Sequence, residues 1–273
     1  MNNRSAFCSL LLSTFLCQFV LGQSSLEQFL GADPGVSSSA SLPNSDEART
    51  MFLAAADLIG AVTTIDFESL LADNSIDVEM PIALDSVLTL SGSDGYSLRI
   101  SDGNSMMNQF DGFATSGEQA LWSTSFGDNF RTLTFDFSEP VNSFGLFISG
   151  QGTAGGSELN LQFDDGQMQT FNLNGGLGGG AFYFGVTNFG TSFNQLTITQ
   201  DNAGDGFRID DVSFGVAAIL GDVNLDDVVD FFDISPFIEV LASEGFQAEA
   251  DIDGNGVVDF FDIQPFIQLL SGQ

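Results

Sequence analysis

Thr132-Leu133-Thr134-Phe135-Asp136-Phe137 alternates polar and apolar residues along its whole length. That is the period-two pattern of a strand with one buried face. Working outward, the same kind of short alternating segment recurs in Thr63-Thr64-Ile65-Asp66-Phe67, Leu159-Asn160-Leu161-Gln162-Phe163 and Leu196-Thr197-Ile198-Thr199. Gly, Asn and Asp turns separate such segments throughout the region from about Ala61 to Gly215. The pattern predicts a mainly β protein built on an antiparallel β-sandwich. The region is long enough for one good core, and Phe, with 29 copies in the chain, is its main filler. The glycine-rich stretch Asn174 to Gly180 has no Lys after it, so it reads as a hairpin loop rather than a phosphate cradle.

The N-terminal flank divides into three pieces. Residues 1–22 have the form of a secretory signal peptide: Arg4, then an apolar run from Phe7 to Leu21, then Val20-Leu21-Gly22 before Gln23. That run is too short for a membrane span. Residues 23–43, rich in Ser and Gly with two Pro, read as a flexible linker. Asn44 to Ile59 reads as a short amphipathic helix, capped by Asn44 with Glu47 and ended by Gly60. Its expected apolar face is Met51, Phe52, Ala55, Leu58 and Ile59. The helix and sandwich together form an expected domain at 44–216.

Beyond it, residues 219–273 carry a twelve-residue acidic loop twice. Asp222 to Asp233 reads DVNLDDVVDFFD and Asp251 to Asp262 reads DIDGNGVVDFFD. Oxygen side chains at positions 1, 3, 5, 9 and 12 suit a hard cation that takes six to eight oxygens, which points to Ca2+. The expected ligands are Asp222, Asn224, Asp226, Val228 (by its carbonyl), Asp230 and Asp233. In the second loop they are Asp251, Asp253, Asn255, Val257, Asp259 and Asp262. Position 6 needs a sharp turn; Gly256 fits and Asp227 does not, so the first site is expected to be weaker or more strained. After each loop, apolar residues such as Ile234, Phe237, Ile238 and Leu241 follow helical spacing. No helical pattern precedes Asp222, so each unit is a loop followed by a helix.

These paired loop–helix units resemble a type I dockerin, a small all-α calcium module. The resemblance covers about residues 219–273. It implies calcium-dependent docking onto a cohesin-like or other extracellular protein. It also implies partner contacts at loop positions 10 and 11, here Phe231, Phe232, Phe260 and Phe261. Better-known family members carry small polar or hydroxyl residues there. Two arrangements are open to these Phe pairs: packing into the module's own core, or exposure of one Phe of each pair as a symmetric apolar patch.

More loosely, the central region resembles jelly-roll sandwiches of the galactose-binding-like and carbohydrate-binding-module type. The carriers are Asp66-Phe67-Glu68 and the segment Phe207 to Phe214, which contains Asp210-Asp211-Val212. The resemblance implies a third, structural calcium where Glu68 and Asp211 meet, and a polysaccharide ligand. Trp122 with Tyr96 or Tyr183 is a candidate sugar-stacking platform.

Composition narrows the function. The chain has no Lys and no His, and its two Cys, Cys8 and Cys17, lie within the leader. No Ser-His or Cys-His nucleophile, Schiff-base lysine or His/Cys zinc site can be built. Net charge is −32, which excludes nucleic acid and anionic membranes as natural partners. The expectation is a secreted or cell-surface modular protein that is not an enzyme. Its tail docks through calcium and its sandwich binds carbohydrate or extracellular matrix. A carboxylate-based polysaccharide-degrading enzyme tethered by its tail is the first alternative. A structural coat or matrix protein without sugar specificity is the second.

Overall fold

The structure is a computed structural model. It describes residues 25–36, 41–69, 76–77, 82–83, 87–92, 96–102, 112–125, 131–150, 157–164, 166–173, 180–189, 192–200, 207–243 and 245–271. The signal-peptide segment 1–22 and most of the Asn174 to Gly180 loop lie outside the described residues.

Thirteen strands and three α-helices are present among the described residues. The strands are β1 (Ser25–Pro34), β2 (Gly60–Ile65), β3 (Ile76–Asp77), β4 (Ile82–Ala83), β5 (Leu88–Gly92), β6 (Tyr96–Asp102) and β7 (Gln119–Ser125). They continue with β8 (Arg131–Ser149), β9 (Ser157–Phe163), β10 (Met168–Leu173), β11 (Gly180–Phe189), β12 (Phe193–Gln200) and β13 (Phe207–Ala217). The helices are α1 (Pro43–Ala56), α2 (Ile234–Ser243) and α3 (Ile263–Ser271).

The alternating stretch around Phe135 forms the first half of β8, which runs for 19 residues. That half pairs with β12 on one side and β5 on the other. Beyond the corner at Ser138, Glu139 and Pro140, which are exposed, the second half pairs with β11 and β13. Pro140 has no N–H to give to a ladder, and the β12 register slips between Phe193 and Gln195 at this point. One strand therefore serves two layers, and the antiparallel sheet curls onto itself as a sandwich. One layer runs β10-β9-β12-β8-β5-β4; the other runs β1-β11-β8-β13 and on to β2, β7, β6 and β3.

The core between the layers is dominated by Phe, as composition predicts. Phe135 meets Phe144 edge-on at 4.9 Å, and Phe137 meets Phe193 edge-on at 6.0 Å. Edge-to-face contacts of this kind suit the aromatic quadrupole.

Two expectations for the N-terminal flank are corrected. Residues 25–34 are a strand, β1, paired along its full length with β11, rather than a flexible linker. Local composition favours a linker; the partner 150 residues later satisfies the backbone and overrides it. Helix α1 starts at Pro43, with no side-chain cap of its own. Its first amides are taken by Asp33 at the end of β1: Asn44 N–H donates to Oδ1 at 3.2 Å and Ser45 N–H to Oδ2 at 2.9 Å.

The buried face of α1 is Ser45, Ala48, Phe52 and Ala56, while Met51 and Leu58 are exposed. Phe52 fits over Gly185, where a Cβ would lie 2.5 Å from its ring. Phe29, Phe147 and Tyr183 complete this second core on the outer side of β11.

The tail has its own small core: Val223, Phe237, Ala250, Val258 and Phe266. Gly221 N–H donates to the Glu249 carbonyl at 2.7 Å, joining the start of the first loop to the lead-in of the second. Among the described residues no helix is long and apolar enough to cross a membrane.

Candidate metal centre

The two tail loops have nearly superimposable hydrogen-bond plans. At position 1, Asp222 accepts from Asp226 N–H (3.0 Å) and Asp227 N–H (2.8 Å). Its counterpart Asp251 accepts from Asn255 N–H (3.1 Å) and Gly256 N–H (2.8 Å). At position 12, Asp233 accepts from Asn224 N–H (3.0 Å) and Asp230 N–H (2.7 Å). Asp262 does the same from Asp253 N–H (3.1 Å) and Asp259 N–H (2.8 Å). The first and last carboxylates of each loop thus fold the chain inward around one point, and all four are buried.

Asp251, Asp253 and Asp262 each bring a carboxylate oxygen within 4.8 Å of the others. Oxygens that each sit 2.3–2.6 Å from one calcium fall within such a span, so the donor set fits Ca2+. Burial raises the Asp251 pKa, and the neighbouring charges of Asp262 and Asp253 raise it further, against the lowering hydrogen bonds from Gly256 and Asn255. A divalent cation would relieve that crowding. Positions 3 and 5 exchange amide and carboxylate between the loops, Asn224 and Asp226 in the first against Asp253 and Asn255 in the second, so both loops carry the same charge there.

Position 9 has a role beyond the expected one. Asp230 and Asp259 each accept from the amide two residues on, Phe232 and Phe261, at 2.7 Å. With Asp233 and Asp262 returning the bond, each loop ends in a capping box that starts its helix. The D-x-x-D spacing carried this signal in the sequence. At position 7, Val228 and Val257 present exposed side chains; their N–H groups donate to Asp226 and Asn255.

Backbone strain separates the two loops more than expected. Position 6 is left-handed in both, at Asp227 (φ 67°) and Gly256 (φ 82°). Position 4 is left-handed too, at Leu225 (φ 61°) and Gly254 (φ 69°). The second loop places glycine at both points and the first at neither.

Both members of each Phe pair are exposed: Phe231 76%, Phe232 70%, Phe260 77% and Phe261 70%. This corrects both arrangements drawn from the sequence. The pairs lie in short 3-10 turns, Phe231–Asp233 and Phe260–Asp262, whose inward position is taken by the closing Asp. The core role falls instead to Phe237 and Phe266.

In the sandwich, Glu68 and Asp211 converge on one segment, residues 115–119. Glu68 accepts from the amides of Glu118 (2.8 Å) and Gln119 (2.6 Å). Asp210 accepts from the amides of Thr115 (2.8 Å) and Ser116 (3.0 Å), and Asp211 from the Ser116 hydroxyl (3.0 Å). Arg49 of α1 stands 3.7 Å from Asp211, so its guanidinium supplies the positive charge there. Phe67 and Asp211, one in each motif, are both left-handed (φ 63° and 47°). Burial pushes the Asp210 pKa up to about 7 against its amide donors, and burial likewise raises Asp211 against Arg49.

The expected sugar-stacking platform cannot include Tyr183. Tyr183 is buried beneath α1, Trp122 is half-buried with its indole N–H enclosed, and the Tyr96 side chain lies outside the described residues. Tyr183 faces α1 because its neighbours Phe182 and Phe184 alternate into the interlayer core.

No protein-family model matches the chain, and no curated protein matches it. It is similar to several solved β domains at low identity. The K2 cleaved adhesin domain of Lys-gingipain is 10% identical, with a TM-score of 0.41 over 57% of this chain and 99% of that one. The CBM22-1 xylan-binding domain of a Paenibacillus barcinonensis protein is 11% identical, with a TM-score of 0.35 over 58% and 96%. TmCBM61, solved with beta-1,4-galactotriose, is 18% identical, with a TM-score of 0.31 over 48% and 89%.

Proposed function

We propose that this chain is a secreted or cell-surface calcium-binding attachment protein. Its tail docks onto an extracellular protein partner of cohesin-like type when loaded with calcium. Its sandwich engages a carbohydrate or matrix ligand, and neither part catalyses a reaction. The observation that carries the reading is the joint placement in the tail. Buried carboxylates converge inside each loop, and four Phe side chains stand in solvent directly beside them. In the first loop Asp222, Asn224, Asp226 and Asp233 would hold the ion, and in the second Asp251, Asp253, Asn255 and Asp262. Bound calcium would neutralise the crowded acids and so hold the Phe-bearing turns in one orientation. Four exposed aromatic rings beside a closed core are the composition of a docking patch.

The test is a calorimetric calcium titration of the mature chain, followed by a glycan array in calcium and again in chelator. Two calcium ions per chain and selective glycan binding are the expected results. An absence of calcium uptake would overturn the docking half. A blank array under both conditions would overturn the carbohydrate half and direct the search for ligands to matrix proteins.

A further inference from the structure

Among the described residues the sandwich is open along one side, where β1, the last strand of one layer, faces the β9–β10 hairpin that ends the other. A cleft of about 290 Å³ enters between the layers there. Its walls are the inward-facing residues of both layers: Leu30, Ile148, Phe182 and Phe184 on one side, Leu159 and Phe171 on the other. Leu30 points toward the core by its register opposite Phe184, yet it is 57% exposed. At the mouth the Gln28 amide donates to the Gln169 side-chain carbonyl, bridging β1 to β10. Thr170 and Tyr183 also border the cleft; the Thr170 hydroxyl donates to Asn160 Oδ1 at 2.6 Å. Among the described residues no charged one lines the cleft.

We propose that this cleft is a binding site for a small uncharged molecule with an aliphatic chain. Three observations select that class. The wall is apolar and enclosed on two faces, which rewards burial of hydrocarbon roughly in proportion to area. The two layers form a slot, so a slender chain fits better than a globular group. The mouth offers the side-chain amides of Gln28 and Gln169 and, among the described residues, no cation, in a protein of net charge −32, so a neutral polar head is accepted and a carboxylate is repelled. A protein segment is a poor occupant, because a cleft of this volume holds only one or two side chains. The site is separate from the tail and independent of the calcium reading.

The experiment uses the full mature chain in calcium with N-phenyl-1-naphthylamine, a neutral fluorescent probe, displaced by 1-decanol or by decanoate. Saturable binding of one probe per chain is expected, with decanol displacing it at least about tenfold more effectively than decanoate. Leu30→Trp, which closes the mouth at an exposed position, should weaken probe binding at least about tenfold. A quadruple variant of the tail, Phe231→Ser with Phe232→Ser, Phe260→Ser and Phe261→Ser, should leave it unchanged. Non-saturable binding, equal displacement by decanoate, or loss of binding in the tail variant rather than in Leu30→Trp would each overturn the proposal.

Discussion

Phe237 of α2 and Phe266 of α3 stack face to face, with centroids 4.2 Å apart and planes 11° apart. They occupy equivalent places in the two repeats, so the contact joins the two loop–helix units through a single shared surface. Either ring is a large part of a core in which five residues are fully buried among those described. Phe237→Ala or Phe266→Ala should therefore cost about 3–5 kcal/mol and unfold the tail. Phe231→Ala and Phe260→Ala, at exposed positions, should change stability by less than about 0.5 kcal/mol. Chemical denaturation followed by far-ultraviolet circular dichroism separates the two classes; equal losses for both would show that the exposed rings are structural.

Metal removal should act on the same module. Its core is too small to stand without a staple, and the acids that close each loop repel one another when no cation is present. Chelation should abolish most of the helical signal of α2 and α3 and leave the β signal of the sandwich. Asp262→Asn should lower calcium affinity at the second site by at least about tenfold. A spectrum and melting curve indifferent to chelator would sink the calcium reading.

Leu225 and Asp227 carry strain that their counterparts Gly254 and Gly256 avoid. A left-handed backbone costs an L-residue about 1–2 kcal/mol, less for Asp than for Leu. Leu225→Gly should stabilise the calcium-loaded tail by about 1 kcal/mol and Asp227→Gly by somewhat less, since glycine also gains freedom in the unfolded chain. Calcium titrations of each variant should show the first site moving toward the affinity of the second. A loss of stability in Leu225→Gly would mean that the exposed leucine makes a contact worth more than the strain.

Asp210 makes the sandwich sensitive to pH. Its folded pKa, about 7, lies above the ordinary carboxylate value of 3.8, so the folded state holds its proton more tightly than the unfolded state does. The sign follows: this group's effect on stability is most favourable below about pH 4 and is lost as pH rises toward 7. The change is on the order of a few kcal/mol. Asp210→Asn should flatten that slope in thermal melts of the full chain taken from pH 4 to 8. A slope unchanged by the substitution would assign the pH dependence to other acids.

The folded form of the acidic loops and the sandwich class are legible in the sequence because both depend on short-range periodicity. Oxygen at fixed offsets in a twelve-residue loop, and alternation along Thr132 to Phe137, need no knowledge of distant residues. The capping boxes at Asp230 and Asp259 are equally local, written as D-x-x-D in residues whose oxygens also suit a metal.

Tertiary structure alone decided the rest. Residues 25–34 have the composition of a linker, and only the ladder to β11 makes them a strand. Asp33 caps a helix that begins ten residues later because β1 ends beside Pro43. Arg49 reaches Asp211 across 162 residues once α1 lies on β11. The Phe pairs stand in solvent because the closing Asp takes the inward place in each turn and Phe237 and Phe266 fill the core. Local chemistry is encoded within a turn or a strand; which faces become buried depends on partners far along the chain, and that is settled only when the layers close.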